Sequence, residues 1–499
     1  MGAIIVLMVV AAYVPALQSG YVWDDDVYVT NNPTLRTIDG LWSSWTHVDA
    51  NVQYYPLVFT SFWLEYHFWQ LDPFGYHFVN VVLHLLNALL IWHVLRRLGV
   101  QGAWLAAAVF AVHPVHVESV AWITERKNVL SGLFYLGAVS AYLRFADCRV
   151  SERAAGGNRA CSQAWGFYAF AAFLFCCALL SKTVTASLPA ALLVIVWWKR
   201  GTLERRDVVP LVPFLFLGAL MGSLTAWIEQ VQVGASGSEW ELSLIERSLV
   251  AGRAFWFYVS KLLVPLNLTF SYPRWIIDAG RWWQYLLPVS VVATMTLLYV
   301  KRERIGRGVF AAALFFFLTL APALGFFDVY PMRYSFVADH FQYLASLGPI
   351  VLVSAMLARA AGRFTSAPEQ FFASARRRTT VVLASLLLVT LAFLTWKQSR
   401  IYRNPETLWF DTIAKNPGSW MAYNNLGLFY FRQGEWGRAL PHFQESVRIN
   451  PDNAEAHYNL ALVLQGIGRG AEAASHFETA SRLRPGIGLE RGRDSRPPP

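Results

Sequence analysis

Charge is scarce in this chain. Asp, Glu, Lys and Arg make up 15% of its 499 residues, 55% are hydrophobic, and the mean hydropathy is +0.36. Soluble domains carry about 25% charged residues. This deficit, with long apolar runs, argues against an ordinary soluble chain and for a polytopic membrane protein. Cysteine is scarcer still. Cys148, Cys161, Cys176 and Cys177 are the four, and their placement forms neither a disulfide framework nor a metal-ligand spacing. A basic n-region is missing ahead of the apolar stretch 1–20, so that stretch reads as a first membrane helix rather than a cleaved signal peptide.

The charge that is present is mostly basic, with a net of +10. It clusters between apolar runs, at Arg96-Arg97, Arg149/Arg153/Arg159, Lys199-Arg200 with Arg205-Arg206, Lys301-Arg302 with Arg304/Arg307, and Arg376-Arg377-Arg378. That is the positive-inside pattern of cytoplasmic loops, and it makes nucleic acid an unneeded partner. Besides the first, apolar runs fall at 76–96, 102–121, 128–146, 164–181, 184–198, 208–228, 284–300, 308–327, 340–360 and 380–397. They predict about eleven spans, with the N-terminus cytoplasmic and the C-terminus outside. Loop 21–75 and segment 229–283 then face outward. Within the latter, 249–272 reads as interfacial or re-entrant, because Arg253, Lys261, Pro265, Pro273 and Arg274 interrupt it.

After Lys397 the pattern changes. Pro417, Pro451 and Pro485 recur at 34 residues, the tetratricopeptide period. A half repeat at 405–416 and repeats at 417–450 and 451–485 follow, in a domain of 398–486, and the Arg/Pro-rich tail 487–499 reads as disordered. The expected class is therefore all-α: a membrane helix bundle over 1–397, then a short repeat solenoid.

Two constellations carry chemistry. The first is Asp24-Asp25-Asp26, three carboxylates directly after the first apolar run. They suit a base, a metal site or a simple boundary marker, and mutual repulsion raises at least one pKa. The second is His113-Pro114-Val115-His116-Val117-Glu118, where the proline breaks the helix at the outer face. A polar network stapling helices explains it as an alternative to function. Asp25, His113, His116 and Glu118 form an alternative divalent-metal set, although their spacing matches no zincin motif. The outward cations Arg126, Lys127, Lys182 and Arg333 suit an anionic lipid phosphate, or headgroup snorkelling, and His340 beside Asp339 is open between the same readings. The aromatics of 21–75, with a predicted interfacial helix over 57–71, serve either as a lid on the bundle or as a sugar-stacking surface.

Tyr21-Val22-Trp23-Asp24-Asp25, then His113 to Val120, then tetratricopeptide repeats resemble, in that order, the GT-C glycosyltransferases. In particular they resemble the transmembrane and tetratricopeptide-repeat O-mannosyltransferase family and its bacterial relatives. The resemblance implies inverting transfer of a sugar, typically mannose, from a polyprenyl phosphate to a hydroxyl, often protein Ser or Thr. It implies an Asp base, Asp24 first and Asp25 second, with Asp26 an extra acid and His113, His116 and Glu118 in support. The expected setting is a bacterial inner membrane with site and repeats extracytoplasmic. Lipid-linked glycan ligation or polymerisation, and a non-catalytic scaffold recruiting partners through the repeats, are the rival functions. A transporter is disfavoured because the ionisable groups gather at one face.

Overall fold

The computed structural model describes residues 1–155, 161–235, 237, 240–362 and 370–488. The tail from 489, Arg159, and the side chains at 150–162 and 361–378, among them Arg153 and Arg376 to Arg378, lie outside the described residues. All regular structure described is helical, and the chain divides into two compact units, 1–268 with 276–400, and 269–275 with 401–499.

In the first unit, among the described residues, five helices are long and apolar enough to cross a membrane: Pro73–Arg97, Ile123–Arg149, Arg205–Val231, Trp282–Val300 and Thr379–Arg403. Ala103–Ala111 and Pro114–Ala121, bent by 53°, make a sixth if they act as one span. Gly2–Leu17, Gln163–Leu179, Arg307–Ala323 and Leu347–Ala360 are apolar but shorter. The protein is thus a multi-pass membrane protein, but the expected eleven spans are not all present as full-length helices. A crossing takes about 20 helical residues, and apolar runs continue through helix breaks. The 184–198 run opens in the tight turn Thr183–Ser187, which leaves a helix of 13 residues, Leu188–Arg200. The 340–360 run opens in the turn Asp339–Gln342, and its helix starts only at Leu347.

Helix Pro73–Arg97 starts cleanly because Asp72 accepts a hydrogen bond from the Phe74 amide at 3.0 Å and Pro73 fills the first helical position. It runs parallel to helix Arg126–Ala155. Asn80 meets Arg126 near the two starts, Asn87 donates to the Val129 carbonyl (2.8 Å), and Arg97 pairs with Asp147 at 2.7 Å near the two ends. The starts therefore share one end of the bundle and the basic residues the other.

Loop 21–75 folds over the starting end. Its helix Pro56–Trp69 contributes Val58, Phe59 and Phe62 to a core with Tyr28, Tyr55, Tyr76 and Ile123. Much of the loop's aromatic content is thus packing, while Trp42 and Phe68 stay exposed. Helix Leu244–Leu263 opens with a reciprocal cap between Ser243 and Glu246 and buries Val250, Ala254, Phe255 and Tyr258 along one side.

The second unit carries helix Pro405–Lys415 and the pairs Trp420–Arg432/Trp436–Ile449 and Ala454–Gly466/Gly470–Leu483. Gly427 lets a pair close: a Cβ there would lie 2.9 Å from the Phe443 ring. Asn424 and Asn459 join successive repeats by a 3.0 Å hydrogen bond. Segment 269–275 packs into this unit, with Phe270 edge-on to Trp409 and the Ser271 carbonyl accepting from Asn416.

Candidate active site

The acidic triplet lies just beyond helix Gly2–Leu17. Trp23 takes a left-handed backbone (φ 48°), unusual for a bulky residue, and turns the chain sharply. Its indole stacks on Trp122 at 5.7 Å with planes 4° apart. After it, the Asp24 carbonyl accepts from the Val27 and Tyr28 amides, and Asp26 opens a short π-helical turn, Asp26–Thr30.

The carboxylates then part company. Asp25 is fully buried and saturated. Its Oδ1 accepts from the Thr124 amide (2.9 Å) and hydroxyl (2.7 Å), and its Oδ2 accepts from the Val22 amide at 2.8 Å. Burial pushes its pKa up to about 7, while these three donors pull it down. Asp24 is half-buried, and its Oδ1 is shut off from solvent without a hydrogen-bond partner among the described residues. Burial raises Asp24 to about 7; Lys127 opposes the rise, and Asp25, Glu125 and Asp26 add to it. A carboxylate poised there suits proton abstraction near neutral pH.

Beside Asp24 lies an ionic cluster that the run 122–128 builds. Glu125 is its hub, with Oε1 3.1 Å from Lys127 Nζ and Oε2 3.1 Å from Lys182 Nζ. Asn128 donates to Glu125 and to the Ser119 hydroxyl, and also to the His340 carbonyl at 3.0 Å. The His340 ring contacts Glu118 at 3.1 Å and lies 3.8 Å from Glu125, and its amide donates to Glu118 at 2.9 Å. Lys127 also faces the rings of Tyr28 and Trp122. Burial, with Lys127 nearby, lowers Lys182 to about 8 against the pull of Glu125.

Other expected residues are committed elsewhere. Arg126 is wholly buried, and its five donor contacts go to Asn80, Ser61, both Glu65 oxygens and the Tyr76 carbonyl. It has no donor left for a phosphate, so that expectation is corrected: Arg126 anchors the helix start to helix Pro56–Trp69. Arg333 packs against Trp240, Tyr330 and Tyr334, and bonds the Tyr330 hydroxyl at 3.0 Å. Its neighbour Tyr334 is edge-on to Trp23.

His113 and His116 turn away from the carboxylates. His113 Nε2 donates to the Leu262 carbonyl (3.0 Å), and Nδ1 accepts from the Val115 amide. His116 Nδ1 donates to the Phe110 carbonyl (2.8 Å), and Nε2 meets Ser346 Oγ at 2.9 Å. Both rings staple helices together, and Glu118 alone of that motif reaches the site. The proposed metal set of Asp25, His113, His116 and Glu118 is therefore not assembled. Its donors are spent on the protein, and no metal-holding group of three or more His, Cys, Asp or Glu occurs among the described residues.

Glu125 stands outside the two constellations that the sequence marks, yet it is the hub of the cluster, and His340 joins it there. Glu125 stands three residues from Asn128 and beside two cations, which is the signal that marks it.

A tetratricopeptide-repeat family model matches residues 427–468. A protein O-mannosyl-transferase of Caenorhabditis elegans is 22% identical over 442 residues, 85% of this chain and 59% of that protein. The Drosophila melanogaster protein O-mannosyl-transferase Tmtc3 is 23% identical over a 521-residue alignment, 88% of this chain and 54% of that protein. This chain is homologous to the TMTC protein O-mannosyl-transferases over most of its length. A shorter stretch of 171 residues is 32% identical to protein O-mannosyl-transferase tmtc2 of Xenopus laevis, 31% of this chain and 20% of that protein. The chain thus spans little more than half the length of the Caenorhabditis elegans and Drosophila melanogaster relatives, and its match to tmtc2 covers a fifth of that protein.

Proposed function

We propose that this protein is a membrane glycosyltransferase that moves a sugar, mannose or another hexose, from a polyprenyl phosphate to a hydroxyl acceptor such as protein Ser or Thr. The observation that carries the reading is Asp24: a half-buried carboxylate with one buried, unpartnered oxygen, pushed up to about 7, near Lys127, which shares Glu125 with Lys182. TMTC homology supplies the reaction class.

In this reading Asp24 takes the acceptor's hydroxyl proton as that oxygen attacks the anomeric carbon. The bond from that carbon to the phosphate oxygen breaks, configuration inverts, and the lipid phosphate leaves with the electron pair. Lys127 and Lys182 hold its charge, exchanging part of their pairing with Glu125 for the phosphate. Asp25 positions Asp24 through the turn it shares with Val22 and Thr124. The Trp23–Trp122 stack supplies an apolar face beside the base. By the positive-inside rule, this end of the bundle is extracytoplasmic.

The test is transfer in purified membranes from a panel of labelled polyprenyl-phosphate sugars, with wild type and Asp24→Asn. Transfer by wild type, abolished by Asp24→Asn, is expected. Failure across the panel by folded protein sinks the reading.

A further inference from the structure

A cavity in the membrane unit lies away from the acidic residues. It is a half-open slot of about 790 Å³, lined by the last turns of helix Pro73–Arg97, by Tyr135, Leu136 and Val139, and by helices Arg307–Leu320 and Leu347–Gly362. Tyr135 is nine residues into the helix that Arg126 begins, about 14 Å along its axis. The lining residues Leu95, Leu98 and Gly99 place the cavity at the basic end of helix Pro73–Arg97.

Its chemistry is split. Leu95, Leu136, Leu352, Ala355 and Phe315 give an apolar channel, and among the described residues the lining carries two charged side chains, Arg307 and Arg359, and no carboxylate. Arg307 keeps one weak pairing, 3.4 Å to Glu303 across a turn exposed to solvent. Its guanidinium also lies against the Gly201 backbone, where a Cβ would meet it. An apolar slot with a cationic mouth matches a molecule with an acyl tail and a phosphodiester head, and basic pockets of this kind on the cytoplasmic side recruit anionic lipids.

We propose that this cavity is a binding site for an anionic phospholipid of the cytoplasmic leaflet, separate from the site of the acidic residues. The tails fill the slot and the phosphate meets Arg307 and Arg359. The charge complementarity of the lining selects an anionic head over a zwitterionic one.

The experiment uses the full chain in mild detergent and native mass spectrometry, titrated with phosphatidylglycerol or phosphatidylcholine of matched tails. Wild type is expected to retain one phosphatidylglycerol at least tenfold more strongly, with the preference shrinking as salt rises. Arg307→Gln/Arg359→Gln should erase the preference, and Ala355→Trp, which fills the slot, should weaken both lipids. Unfolding midpoints confirm that the variants are folded; the wild-type lipid preference and its salt dependence test the site without any variant. Equal retention of the two lipids by wild type, or an unchanged preference in the double variant, overturns the proposal. Displacement of the bound lipid by polyprenyl phosphate at equal stoichiometry also overturns it, because the slot would then hold the donor's tail.

Discussion

Thr124 grips Asp25 twice, with its amide at 2.9 Å and its hydroxyl at 2.7 Å, across 99 residues of sequence. That double contact separates the two neighbouring acids into one that holds the turn and one that keeps a buried oxygen unpartnered. Asp24→Asn should lose transfer by roughly 10²–10⁴-fold with an unchanged unfolding midpoint. Asp25→Asn should lower both, because an amide nitrogen would face the donor of Val22 or of Thr124. Thr124→Val should cost about 1–2 kcal/mol, since it leaves one buried acceptor short. Paired assays of transfer and thermal unfolding check the split; equal unfolding losses in Asp24→Asn and Asp25→Asn would refute it.

The pH profile of transfer should be bell-shaped. Asp24 works as a base only when ionised, and its pKa is raised to about 7, so activity climbs with pH through that value. Lys182 holds phosphate only when protonated, and its pKa is lowered to about 8, so activity declines above it. The optimum is expected between the two. Lys182→Arg should extend the basic limb upward and leave the acidic limb in place, measured as kcat/KM against pH.

Glu125 tests the ionic cluster. Glu125→Gln leaves Lys127 and Lys182 without their shared counter-charge and should destabilise the fold by about 3–5 kcal/mol. Adding Lys182→Met should recover part of that stability while donor KM rises. Thermal unfolding of the single and double variants gives the coupling, and simple additivity would argue against a shared cluster.

Arg126 gives the opposite signature. Arg126→Lys keeps the charge but loses the forked contact with Glu65 and the bonds to Asn80 and Ser61. A midpoint drop is expected, with the donor KM of the folded fraction unchanged. A selective rise in KM instead would return Arg126 to the phosphate.

Gly427→Ala probes the repeats. A Cβ 2.9 Å from the buried Phe443 ring forces the helix pair apart, at a cost of roughly 1–3 kcal/mol. Limited proteolysis of the full chain should show faster cleavage within 417–485.

Much of this architecture was legible as pattern. The 34-residue proline spacing located the repeats, because helix pairs stack at a fixed length. The apolar runs located helices but not their ends, since hydropathy is blind to the turns at Thr183–Ser187 and Asp339–Gln342. The acidic triplet was conspicuous as charge out of place. Which oxygen is saturated was not, because Asp25 finds its partner at Thr124, far along the chain. His113 and His116 looked catalytic by residue type. Their nitrogens instead satisfy Leu262 and Phe110 carbonyls left open where helices break, and sequence spacing does not encode that demand.

Arg126 and Lys127 are adjacent yet serve opposite ends, one locked to Glu65 and the other beside Asp24. Each helical residue advances about 100° around the axis. A single insertion or deletion between Trp122 and Arg126 would present the wrong cation to each neighbour, burying the amine and exposing the guanidinium. This stretch is therefore constrained in length as well as in identity, and descendants of this chain should keep its residue count fixed.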